Sequence, residues 1–288
     1  MPTATADPPV LEEPAPPPAV DDGACLQCGA ERVGPFCHAC GQHESVADGL
    51  TFRSLWNDFR VRRLSLDRGL FLTITHVLVR PGVVARAFVE GQRQTYTHPI
   101  PLLFVLYAAY AVIFSLIDEP FQAMMRGQVE AQMPVGEGLS PEMEMAMSVM
   151  AEAMRVFYSY GAYFSALIIF PFALLLRWLL GDRGRTVAEY AVLGAYVEAA
   201  VVIPSALLIT PLSVATRSTG VGMLSLALYL AYAAWGVAQF LGDRRPGTLG
   251  LSVLSMTVAL GAYLVLFFAL AFAVGIYVGF QGAHAGAF

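Results

Sequence analysis

The residues with the clearest chemistry are four cysteines, Cys25, Cys28, Cys37 and Cys40, which are the only cysteines in the chain. They form two Cys-x-x-Cys-Gly units, Cys25 to Gly29 and Cys37 to Gly41, with eight residues between the pairs. Two thiolates on one tight turn can reach a single ion, and the glycine after each pair permits the left-handed backbone that closes such a knuckle. Two knuckles together predict a closed tetrahedral site, the arrangement of structural Zn2+. Paired disulfides and a rubredoxin-like iron are the rival readings of the same spacing. Four thiolates leave no open position for a substrate, so a catalytic metal is not expected. The intervening residues allow only a minimal ribbon turning at Gly34-Pro35. Such a unit has almost no core, and metal binding, on the order of 10 kcal/mol or more in zinc peptides, has to supply its folding energy. His38 and His43 lie close enough in sequence to act as substitute ligands.

Two acidic residues in apolar surroundings are the next candidates. Glu189 follows Thr186 by three residues, which fits a capping box at a helix start. Glu198 lies nine residues further on, roughly 13 Å deeper at 1.5 Å per residue, with no basic side chain at comparable depth. An unpaired carboxylate there costs about 2.5–3.5 kcal/mol on insertion scales. It is therefore expected to be protonated or hydrogen-bonded to Tyr or Ser of neighbouring spans. Either a packing hydrogen bond or a proton or cation site accounts for it, and Pro171, Pro204 and Pro211 could break helices around such a site. Arg177 is expected to snorkel to the interface. Met143, Met145, Met147, Met150 and Met154 offer thioethers that suit Cu(I), although four of them share one helical face, as packing would also require. No Ser–His–Asp set, phosphate loop or His-rich motif accompanies these residues, and no enzymatic activity is expected.

The elements that position these groups are membrane helices. Hydrophobic residues make up 57% of the 288 residues and charged residues 14%, against about a quarter charged in soluble domains. Apolar runs near 20 residues long mark about five transmembrane helices, at 99–117, 156–180, 187–211, 221–241 and 249–278. The expected fold is thus a membrane all-α domain over 99–279, preceded by a ribbon at 25–42 and amphipathic interfacial helices within 50–98. Residues 1–24, rich in Pro and Ala and without the pattern of a signal peptide, read as a disordered spacer. A long acidic stretch, 118–155, separates the first two spans.

All 17 basic residues are arginines, and they set the direction. Eight fall between the ribbon and the first span, and Arg183, Arg185, Arg244 and Arg245 fall in the 181–186 and 242–248 loops. Only Arg126, Arg155 and Arg217 stand on the other side, which predicts a cytoplasmic N-terminus in a bacterial inner (plasma) membrane. Leu66, Leu70, Ile74, Val77 and Leu78 recur at helical spacing, and Pro81 opens a second helix that runs to Gly91. This basic pair is expected to lie on the lipid bilayer. Membrane proximity explains its arginines better than nucleic acid does.

The motifs Phe36-Cys37-x-x-Cys40-Gly41-Gln42, Leu64-x-x-Asp67-x-Gly69, Arg80-Pro81-Gly82 and Glu90-Gly91-x-Arg93-x-x-Tyr96-x-x-Pro99 occur in that order. With Thr186-x-x-Glu189, they make the chain resemble an uncharacterised bacterial membrane-protein family, a domain of unknown function with an N-terminal zinc ribbon. Tyr190 stands where the resemblance leads one to expect His. More loosely, the five-span layout is similar to the Yip family of membrane proteins. The resemblance implies no activity. The functional expectation is a non-enzymatic adaptor or scaffold with a cytoplasmic protein partner; the alternative is a transporter or channel using the bundle, with Glu198 central.

Overall fold

Proline and glycine set the helix boundaries. Pro81, Pro99 and Pro246 each occupy the first position of a helix, where a missing N–H costs nothing. Gly181 and Gly242 follow the last residues of two others. The structure, a computed structural model, describes residues 24–31, 33–42, 50–62, 69–131, 164–181 and 185–285. Within them run α1 (Phe52–Arg62), α2 (Gly69–Val79), α3 (Pro81–Val89), α4 (Pro99–Ala131) and α5 (Ile169–Leu180), the last entered through a 3-10 turn at Ala166–Ile168. Then come α6 (Val187–Pro204), a π-helical turn (Ser205–Ile209), α7 (Thr210–Thr216), α8 (Thr219–Leu241) and α9 (Pro246–Ala285).

Four helical stretches among the described residues are long and apolar enough to cross a membrane: Pro99–Phe121, Val187–Thr216, Met223–Leu241 and Pro246–Leu270. The expected span at 156–180 is described only from residue 164, and its apolar helix, Ala166–Leu180, is shorter. The first helix differs from expectation at its far end. It continues through Asp118, Glu119 and Pro120 to Ala131, because acidic residues end an apolar run without ending a hydrogen-bonded helix. The acidic and Met-rich residues 132–163, like the tail before residue 24, lie outside the described residues.

One helix is enclosed by the others. Of an 18-residue apolar segment within Val187–Thr216, 78% is buried, against 33%, 28% and 22% for the corresponding segments of the other three. Its partners are α2, α3, α4, α5 and α8. Small residues let them approach: a Cβ added at Gly194 would sit 3.2 Å from Ile169 and 3.4 Å from Phe172. Close packing of this kind replaces the hydrophobic drive that lipid removes. The outward faces of the bundle remain apolar and exposed, with Phe104, Val112, Leu116, Phe170, Leu208 and Val265 among them, a belt that suits hydrocarbon.

The helices before the first span do not simply lie on a surface. Seven of the nine residues of α3 are buried, and the helix wedges between α6 and α8. α2 keeps Phe71 and Val79 exposed, and α1, which the residue spacing had not singled out, exposes Phe52 and Trp56. The break between α2 and α3 at Arg80 is sealed by α8. Tyr232 donates to the carbonyl of Leu78 (2.9 Å), and the Trp235 indole donates to that of Val79 (3.2 Å). Gln239 accepts from the Gly82 N–H (3.1 Å), while Arg86 returns a hydrogen bond to the Phe240 carbonyl (2.7 Å).

Contact at this joint is so close that only glycine fits. A Cβ on Gly82 would lie 2.0 Å from the Gly236 carbonyl oxygen and 2.8 Å from the Phe240 nitrogen. Gly82→Ala is therefore expected to destabilise the detergent-solubilised protein by about 1–3 kcal/mol, the usual cost of overpacking, read as a lower unfolding midpoint. Gly261→Ala, whose added Cβ meets nothing within 4 Å, serves as the control and should not lower it. Equal midpoints for the two variants would contradict the seating of α3 against α8.

Candidate metal centre and intramembrane carboxylate

Each cysteine knuckle is built the same way. The Gly29 N–H bonds to the Cys25 carbonyl and the Gly41 N–H to the Cys37 carbonyl, both at 2.8 Å. The glycines take φ of 73° and 76°, the left-handed region that a side chain would resist. The Cys25 N–H closes on the Ala30 carbonyl and the Cys37 N–H on the Gln42 carbonyl, both at 2.9 Å, so the two units repeat one pattern of hydrogen bonds. Ala24 and Glu31, on either side of the first unit, form an isolated antiparallel bridge.

This geometry brings all four sulfurs within 4.8 Å of one another. Cys25 and Cys40 approach to 3.5 Å and Cys28 and Cys37 to 3.6 Å. A tetrahedron of thiolates around an ion at about 2.3 Å has edges near 3.8 Å, so the set fits one metal ion. All four are free cysteines converging on a common centre. Backbone N–H groups of Cys40 and Ala39 pull the Cys37 thiol down to about 6, whereas burial pushes Cys40 up to about 12. Metal binding must therefore expel protons from the cluster. His38 is exposed and stands outside the ligand set; His43 lies outside the described residues.

The ribbon is fastened to the bundle by Gln27, a residue that sequence reasoning passed over. Its amide donates to Thr95 Oγ1 (2.8 Å) and accepts from the Gln94 N–H (3.1 Å). The receiving turn joins α3 to α4 and is itself pinned. Thr97 donates its N–H to Thr73 Oγ1 (2.8 Å), and Tyr196 of α6 donates to the Thr97 carbonyl (2.8 Å). His98 Nε2 donates to the Leu55 carbonyl of α1 (3.3 Å) while its Nδ1 accepts from the Ile100 N–H.

Arginines gather at the same end. Arg185 pairs with Glu90 (3.0 Å) and lies over Phe240, Arg244 lies over Trp235, and Arg177 returns to the Gly181 carbonyl (2.7 Å). Arg93 is buried against the Phe88 ring. Arg217, at the end of α7, marks the opposite side.

Glu189 and Glu198 have separate roles. Thr186 Oγ1 accepts from the Glu189 N–H (3.3 Å), and the Glu189 carboxylate accepts from the Thr186 N–H (2.7 Å). This completes a capping box at the start of α6. Glu198, only 2% exposed, is met by hydroxyls from three other elements. Tyr107 of α4 (3.0 Å) and Ser165 donate to Oε1, and Tyr229 of α8 donates to Oε2 (2.9 Å). These partners carry no local signature, since they lie 91, 33 and 31 residues away in the chain.

Residues 67–111 match the family described as "Protein of unknown function (DUF3667)". The matched segment holds α2, α3, the turn that receives Gln27 and the part of α4 that carries Tyr107. Together with the cysteine cluster ahead of it and the four apolar helices, this fits an uncharacterised membrane family with an N-terminal cysteine motif. No curated protein and no solved structure matches the chain.

Gln27→Ala removes both hydrogen bonds of the clamp. The expected cost is about 1–3 kcal/mol, read locally as faster hydrogen exchange at the Gln94 amide with exchange in α6 unchanged. Unaltered exchange at Gln94 would show that the ribbon is held by other contacts.

Proposed function

We propose that this chain is a bacterial inner-membrane protein whose cysteine ribbon, closed around a structural Zn2+, presents a rigid cytoplasmic surface to a protein partner. The observation that carries this reading is the mounting of the ribbon. Its base is clamped through Gln27 to a pinned turn, while its tip holds Val33 and Phe36 exposed, at 87% and 52%. A fixed base with an apolar tip suits docking, and four filled ligand positions suit structure rather than catalysis. The cytoplasmic side follows from the arginines, because the basic end is the ribbon end. Trp56, Trp178 and Trp235 all belong to that end and remain exposed, in keeping with an aromatic belt.

Purified wild type is expected to carry one zinc ion per chain, measured by elemental analysis, and Cys40→Ser to lose it while its spans stay inserted. Phe36→Asp should keep the zinc and lose the partner in mild-detergent affinity purification. Wild type without metal would overturn the ribbon, iron in place of zinc would overturn the choice of ion, and a Cys40→Ser variant that retains every partner would overturn the scaffold.

A second reading, a transporter or channel, draws support from one place in the bundle. The enclosed helix carries Glu198 and, after Pro204, changes to a π turn. Such turns are frequent at functional sites. Solute flux in proteoliposomes that disappears in Glu198→Gln would favour it.

A further inference from the structure

Glu198 lies where charge is hardest to keep, and its surroundings are unusual for a mere packing contact. Side chains from every large helix around it have been drawn in. α4 supplies Tyr107, the turn into α5 supplies Ser165, and α8 supplies Tyr229. Tyr263 of α9 is within electrostatic reach. Tyr107 and Ser165 are also 3.4 Å apart, so the hydroxyls touch one another as well as the carboxyl group. The charged groups of the remaining neighbours are engaged elsewhere. His76 of α2 bonds to Tyr96, Arg86 of α3 to the Phe240 carbonyl, and Arg177 of α5 to the Gly181 carbonyl. No cationic side chain among the described residues bonds to Glu198. The described groups that meet it are neutral hydroxyls.

Direct contact decides what such a carboxyl group can bind. The three hydroxyls hydrogen-bond directly to the carboxyl oxygens, and a metal ion shared among them would have to break these bonds. A proton fits with no more than the turning of a hydroxyl. The same helix interface continues toward the Arg217 side: Ser205, seven residues beyond Glu198, bonds to Ser225 (3.1 Å), which is four residues before Tyr229. Both serines are part-exposed, and Ser205 opens the π turn. Two polar contacts, Tyr229–Glu198 and Ser225–Ser205, therefore lie along this face of α8, the second part-exposed and nearer the Arg217 end.

We propose that Glu198, with Tyr107, Ser165 and Tyr229, forms an exchangeable intramembrane proton-binding site reached along the Ser205–Ser225 side of the α6–α8 interface. One proton from water adds to a Glu198 carboxylate oxygen to give the neutral acid, and the reverse step returns it; no other bond changes. The hydroxyl that donated to the protonated oxygen turns to accept or to bond with its neighbour, as Tyr107 and Ser165 are placed to do. The site stands apart from the scaffold reading and narrows the transport reading to one ligand, the proton. It requires binding only.

The test is infrared difference spectroscopy on the full chain in lipid nanodiscs, titrated with pH. Wild type should show a carboxylic C=O band that grows on acidification and is lost in Glu198→Gln. Tyr229→Phe, which keeps the acid and removes one donor, should retain the band with a midpoint moved by about one to two pH units, the worth of a hydrogen bond to a charged group. That variant carries the test if Glu198→Gln fails to fold. A Glu198→Gln spectrum that matches wild type at every pH, or a Tyr229→Phe midpoint equal to that of wild type, overturns the site. Proton flux measured in proteoliposomes separates the two readings: a Glu198 band that titrates without flux supports the site and ends the transport reading.

Discussion

A peptide group left without a partner in hydrocarbon costs several kcal/mol, and this chain breaks a helix close to its membrane domain. Pro81 forces the break between α2 and α3, freeing carbonyls on one side and an N–H on the other. Tyr232, Trp235 and Gln239, spaced along one face of α8, answer those groups, and Arg86 of α3 answers a carbonyl at the end of α8. Each helix thus completes the termini of the other. The glycines at the crossing, Gly82 and Gly236, follow from this, because the capping side chains reach only if the backbones nearly touch.

The same economy governs the enclosed helix. α6 starts from a capping box, passes the Thr97 carbonyl through Tyr196, collects three hydroxyls at Glu198 and ends in the π turn. Its polar groups are few, and beyond the cap the hydrogen bonds of Tyr196 and Glu198 tie it to other parts of the fold. The cysteine ribbon joins the same framework, since Gln27 holds the turn whose Thr97 carbonyl accepts from Tyr196. Ribbon, turn and central helix form one connected set of contacts across the basic end.

What could be read from the sequence was local. Cysteine spacing gave the cluster and its two glycines, Thr186-x-x-Glu189 gave the cap, and Pro81 gave the boundary between α2 and α3. The length of the apolar runs located the four described helices that can cross a membrane, while the run at 156–180 is described only in part. Misjudged boundaries have a physical reason: hydropathy registers where lipid contact ends, and α4 remains hydrogen-bonded well beyond that point, to Ala131. Hydrophobic periodicity predicted α3 as an amphipathic helix on the bilayer, whereas other helices bury seven of its nine residues. Gln27, Tyr107, Ser165 and Tyr229 were invisible for another reason. Their partners are tens of residues distant, and a lone Gln, Tyr or Ser in an apolar run looks the same whether or not it meets one.

The joint between α3 and α8 also orders events during synthesis. Gly82 and Gln239 are 157 residues apart, a gap that takes roughly ten to thirty seconds to translate at about 5–20 residues per second. Throughout that interval the apolar face of α3 has been made and its seat between α6 and α8 is incomplete. The part of the chain that emerges early is among the last to be locked in place, so the cell must shelter a finished but unseated helix at the membrane surface until α8 arrives.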